Sequence, residues 1–186
     1  RLTPRPGLRP RRGNPARPRG ADRPGERVLT DATVEEGAQR PANVTAVDAE
    51  DQKVLSAMAQ DAVFPITEMR WERGHRRFAI LLNRFRWEDR EAAEKRGRPY
   101  ERVQSLLLVN DVLKVSSQGI DRADTETILS LLSIDFQAAS DGSGRLELTL
   151  AGDGAIALEV ECLNVSLRDV SRPYIAPSRH VPYHGD

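Results

Sequence analysis

One thiol, Cys162, lies in the stretch ALEVECLNVSL (157–167), preceded by Glu159 and Glu161. A thiolate beside a base is a nucleophile, and carboxylates about 7 Å apart on one strand face can divide acid and base roles. The spacing argues against a reactive thiol. Ile156, Leu158, Val160 and Cys162 are all even-numbered, so a strand sets the sulfur among three aliphatics and turns both glutamates the other way. That predicts a buried, inert thiol and a solvated acidic face. An enzyme or small-molecule binder built on this strand would use Glu159 or Glu161 in a pocket between sheet layers. After Cys162 the apolar positions become odd (Leu163, Val165, Leu167), which predicts a bulge or a switch between layers.

Other reactive types are sparse. His180 and His184 have the i, i+4 spacing that would face one metal on a helix. Pro182 lies between them in a proline-containing tail, which denies them the helix. His75 falls in an expected hairpin turn. DGSG and AGDGA lack the spacing of a phosphate-binding loop and read as turns. No cofactor motif is present. The most suggestive surface is NRFRWEDR (83–90), where Arg84 and Arg86 alternate with Phe85 and Trp87. Arginine and tryptophan are enriched in binding hot spots, so Arg84, Arg86 and Trp87 are binding candidates. The competing reading is that the aromatics are one dry face of a strand end, with the arginines reaching past it to water. SQGIDR supplies a second candidate surface, Gln118, Asp121 and Arg122.

These groups need elements to hold them. Asp48 can cap a helix over about 48–60, with Glu50 and Asp51 in its first turn. ITEMRW and RFAILLNRFRW, separated by ERGHRR, read as a β-hairpin. EDREAAEKRGRP reads as a short surface helix or a mobile loop, stopped by Gly97 and Pro99. ERVQSLLLVNDVLKVSSQG reads as two strands turning at Asn110–Asp111, or as one long bent strand. Asp124 can cap a single helical turn through Ile128. SLLSIDF, RLELTL and AIALEVECLNVSLRDV follow as strands.

The order repeats. Phe78, Ile80 and Leu82 match Leu146, Leu148 and Leu150; Trp71 matches Phe136; Leu113 and Val115 match Leu163 and Val165. A duplicated hairpin unit would produce this, and shared alternation alone would produce part of it. The fold class expected is α+β, mostly antiparallel sheet, with one N-terminal helix packed on it. The two units would pack face to face or continue as one strongly bent sheet.

The chain has 186 residues, 25 of its 28 basic residues being arginine, and a formal net charge of zero. Residues 1–27 hold nine Arg against one Asp and one Glu, so +7; the remaining 16 Arg and three Lys against 26 acids give −7. An acidic body disfavours nucleic acid as partner unless the basic arm at 1–27 is genuine. That arm has six prolines and little to bury; it should be disordered, and its bias reads as translated upstream sequence with the natural start near Val28 or Leu29. An extended segment at 28–46, one α+β domain at 47–171 and an irregular tail at 172–186 complete the expected organisation. One cysteine forms no internal disulfide and no apolar stretch reaches membrane-spanning length, so a cytoplasmic protein is expected.

The stretches DAEDQKVLSAMAQDAVFPITEMRW, RRFAILLNRFRWEDR, ERVQSLLLVNDVLKVSSQGIDR and GDGAIALEVECLNVSLRDVSRPY resemble a proteobacterial family known as domain of unknown function 2948, from about Val28 to the end. The resemblance implies a small stand-alone bacterial protein and supplies no activity, cofactor or catalytic residue. The functional expectation is a non-catalytic module that binds a protein partner or a second copy of itself.

Overall fold

The structure is a computed structural model that describes residues 40–175. The expectations for residues 1–27, for most of the 28–46 segment, for the last part of the tail and for His180 and His184 lie outside the described residues. The sheet runs past both limits of 47–171, because Asn43–Ala46 (β1) and Tyr174–Ile175 (β11) are strands.

The first helix, α1 (Ala49–Ala59), starts where Asp48 accepts hydrogen bonds from the Glu50 and Asp51 amides. This satisfies two of the orphan donors of the first turn. It leads to β2 (Val63–Pro65), a 3-10 turn at Ile66–Glu68, and β3 (Met69–Glu72). ITEMRW is therefore strand only in its second half. A second 3-10 turn at Arg73–His75 carries the chain into β4 (Arg77–Phe85). The polar run that follows forms α2 (Arg90–Arg96), stopped by Gly97 at φ 60°, a left-handed position that glycine takes without a Cβ clash.

The order expected to repeat is built twice. β3, β4 and β5 (Glu101–Val109) form one antiparallel run; β7 (Ile128–Ala138), β8 (Gly144–Leu150) and β9 (Ala155–Val160) form the other. Trp71 faces Phe78 in the first as Phe136 faces Leu146 in the second. Each run then sends its next strand to the other. β6 (Val112–Gln118) pairs with β9, and β10 (Val165–Asp169) pairs with β5. Val165 opposes Val109 as Val115 opposes Leu158. Asn110–Asp111 is thus no hairpin turn. It redirects one long chain from one half of the sheet to the other, with Asp111 at φ 57°.

β2 bridges the halves between β4 and β7, so all strands join one bent sheet, ordered β1-β10-β5-β4-β2-β7-β8-β9-β6. Both halves contribute to a single core that includes Phe64, Ile80, Leu82, Leu107, Leu131, Ile134, Leu148, Leu158 and Leu167. Burying a side chain of this size contributes about 1.5–3 kcal/mol, and alternation in every strand aligns these residues on the inner face. A bulge in β7 between Leu131 and Ser133 shifts its inward parity from odd to even. The segment before β7 forms turns, not the helical turn expected from Asp124. That side chain instead accepts bonds from the Glu126 amide and the Thr127 hydroxyl.

Candidate functional site

Arg84 and Arg86 of NRFRWEDR point inward, whereas Arg90 is exposed. Arg84, at the end of β4, has no exposed surface. Its Nε donates to Asp169 Oδ1 at 3.0 Å and Ser105 Oγ at 3.1 Å, and its Nη2 to Asp169 Oδ2 at 2.9 Å. Nη1 and Nη2 also fork onto Glu88 at 2.9 and 2.8 Å. Burial works against the charge, and the hydrogen bonds Arg84 donates to Glu88 and Asp169 outweigh it, leaving the Arg84 pKa above its ordinary value. Burial likewise pushes Asp169 up, while bonds from Arg84, Ser105 and the Ala42 amide bring it below the usual carboxylate value. Arg86, also buried, reaches Glu101 at 2.5 Å and Glu88 at 3.7 Å, and Arg98 continues the chain to Asp89 and Glu101. Trp87 is half-buried; its Nε1 donates to the Gln60 carbonyl at 3.0 Å and its ring tilts against Phe85 at 4.6 Å.

The expected exposed stripe is therefore corrected: this is an alternating ionic network that ties β4, α2, β5 and β10 together, with Trp87 pinning the end of α1. The correction has a physical reason. Asp169 and Ser105 come from strands distant in sequence, so no local pattern announces that Arg84 has a buried anion to meet.

The acidic strand face is also rearranged. β9 ends at Val160, so Glu161 and Cys162 lie past the strand in a bend. Cys162 is exposed, which overturns the expectation of a core thiol; the even parity holds only while the strand lasts. The change of parity marks the switch between sheet halves, as the second of the two expected causes. The Cys162 sulfur donates to Asp111 Oδ2 at 3.6 Å. Desolvation and then the Asp111 carboxylate raise the thiol pKa, which keeps it protonated and poorly nucleophilic. Glu159 faces outward, 3.8 Å from Arg145 and opposite Lys114, whereas Glu161 pairs with Arg76. The space between the layers is filled by the core, and neither glutamate points into it. Among the described residues no group of three or more histidine, cysteine or acidic side chains is arranged to hold a metal ion. No helix among them is long and apolar enough to cross a membrane.

What stays open is the edge of β6. Antiparallel strands alternate residues whose backbone groups face one neighbour with residues facing the other. The Leu150 amide donates to the Gly154 carbonyl at 2.8 Å at the β8–β9 turn, which sets the phase. Ile156 and Leu158 face β8, and Ala155, Ala157 and Glu159 face β6, opposite Gln118, Ser116 and Lys114. Val115 and Ser117 therefore aim their amides and carbonyls outward, where no other strand pairs among the described residues.

The opposite edge of this half is treated differently. The same phase turns Ile134 of β7 outward, and there α1 covers it: Ser56 Oγ accepts from the Ile134 amide at 2.8 Å and Gln52 donates to the Ile134 carbonyl. Around β6 lie shallow depressions of about 330 Å³, lined in part by Leu113, Gln137 and Arg145, and about 160 Å³, lined in part by Ser116, Gln118 and Ala157.

Of the second candidate surface, Gln118 closes β6 and is exposed; Asp121 and Arg122 are exposed in the following turn, where Asp121 accepts from the Ala123 amide at 2.9 Å. The structure brings these three beside the open edge and far in sequence from the Arg84 network. Ser117 and Val115, which carry the outward backbone, were not singled out by sequence. The small polar run VSSQG was the available signal, and it does not distinguish an edge from a central strand.

A family model described as "Protein of unknown function (DUF2948)" matches residues 43–184. No curated protein and no solved structure matches the chain.

Proposed function

The chain belongs to the DUF2948 family of proteins of unknown function, and from that premise we propose that it is a non-catalytic cytoplasmic module that binds protein by strand addition at β6. The observation carrying this reading is the outward pair of backbone positions, Val115 and Ser117, on an edge that nothing in the described fold covers. Unpaired strand edges are templates for another chain, and extended peptides bind sheets by completing such a ladder. Gln118 lies in the edge, and Asp121 and Arg122 flank it as contacts that select the partner. Arg84, Arg86 and Trp87 serve the surface only through the fold they hold.

The test compares the natural chain with Ser117→Pro. Proline removes an amide that points to solvent, so an edge strand accepts it in the free protein while the added ladder loses a donor. Affinity capture from the protein's own cells should retain a specific protein on the natural chain and lose it on the variant. The same partner should slow hydrogen exchange at the Val115 and Ser117 amides. Equal capture by both forms overturns the reading.

A further inference from the structure

We propose that the strand added at β6 is β6 of a second copy of this chain, giving a two-fold dimer; this rests on the strand-addition reading above and names its partner. The duplicated architecture supplies the first argument. β10 and β6 hold equivalent places, each the fourth strand of one run laid beside the third strand of the other. The outer side of β10 is covered by β1, antiparallel, with Ala46 opposite Val165 and Val44 opposite Leu167. The equivalent side of β6 has no such cover among the described residues. The place left is shaped for one short antiparallel strand along Val115–Gln118.

A second β6 fits it. Isologous pairing about a two-fold axis is necessarily antiparallel. The straight stretch is bounded by the bulge between Val112 and Lys114 and by Gly119 at φ 65°. Its five residues, 114–118, have Ser116 at their centre. With Ser116 facing Ser116 of the second copy, Val115 faces Ser117 and their outward amides and carbonyls exchange bonds on both sides of the axis.

Charge is consistent with this register. Lys114, the single charged residue of β6, meets Gln118 of the second copy and never another lysine. Leu113, 54% exposed, comes to lie beside Gly119 and Ile120 of the second copy. A short strand pair is a small interface, so association is reversible and concentration-dependent.

Sedimentation of the full chain tests this. The mass should rise with concentration from the 20.7 kDa monomer toward twice that value. Ser117→Pro and Ser116→Lys should each return the monomer at all concentrations; the second leaves the outer face of the free protein intact and sets two ammonium groups face to face across the axis. In a Cys162→Ser background, Ser116→Cys should form an inter-chain disulfide on mild oxidation, because non-hydrogen-bonded pairs approach to about 4.5 Å between Cα atoms, within disulfide reach. A dimer indifferent to both substitutions overturns the proposal, since the copies then meet elsewhere. A monomer at every concentration also overturns it. In that case the strand-addition reading stands if Ser117→Pro still loses a captured protein, and falls with it if capture is unchanged.

Discussion

Arg84 and Asp169, 85 residues apart in sequence, meet through parallel bonds of 3.0 and 2.9 Å, with side-chain exposures of 0% and 3%. Two forked hydrogen bonds join β4 to β10 across the intervening β5, where Ser105 donates to the same carboxylate at 2.7 Å. Removing Asp169 leaves the buried Arg84 with Glu88 as its remaining anion and takes the acceptor from Ser105 and the Ala42 amide. Because Glu88 still compensates the charge, Asp169→Ala should cost about 3 kcal/mol, the lower end for breaking a buried ion pair, read as a lowered urea midpoint. Because the Ala42 amide also donates to Asp169 at 2.8 Å, the loss should extend to faster hydrogen exchange in β1.

The same carboxylate sets a pH dependence. Its folded pKa lies below the ordinary value of 3.8, so the unfolded chain binds the proton more readily than the folded one. The stability it contributes is complete above the unfolded value and is lost as pH falls through the folded value. The urea midpoints of the natural chain and Asp169→Asn should differ most near neutrality and converge below about pH 4. A constant gap across that range would show that the pair is maintained by something other than the ionised carboxylate.

How the sequence conveyed this fold follows from which interactions are local. The Asp48 cap and the stop at Gly97 depend on neighbours within a turn, and both are legible as residue types. The repeated order was visible because Phe78, Ile80 and Leu82 align with Leu146, Leu148 and Leu150, and both sets do face the one core. The exchange of β6 and β10 between runs left one mark, the change of parity after Cys162, but a change of parity does not name the strand that will be paired. For the same reason Arg84 looked like a surface residue and Cys162 like a core residue. One depended on an anion from β10, the other on where β9 stops.

The cover on β7 makes a separable prediction. Ser56→Ala leaves the Ile134 amide without its acceptor, and Gln52→Leu leaves the Ile134 carbonyl without its donor. An unsatisfied buried backbone group costs about 1–3 kcal/mol. Each substitution should lower the urea midpoint accordingly, and Ser56→Ala should selectively speed exchange at the Ile134 amide while the β8–β9 ladder keeps its protection.

Cys162 offers the last test, because its exposure and its chemistry pull in different directions. An accessible sulfur should react completely with a disulfide reagent in the folded protein, without denaturant. Its rate should nevertheless trail that of a free thiol at neutral pH, since desolvation and Asp111 hold the pKa above its ordinary 9.0 and only the thiolate attacks. Replacing Asp111 by Asn removes a negative charge that disfavours ionisation, so the pH midpoint of the reaction should move down and the neutral rate should rise. Asp111 also accepts from Asn164 Nδ2 at 3.3 Å and sits at φ 57°, a conformation that asparagine tolerates, so the crossover between sheet halves should survive the change. A reaction that requires unfolding would return the thiol to the core.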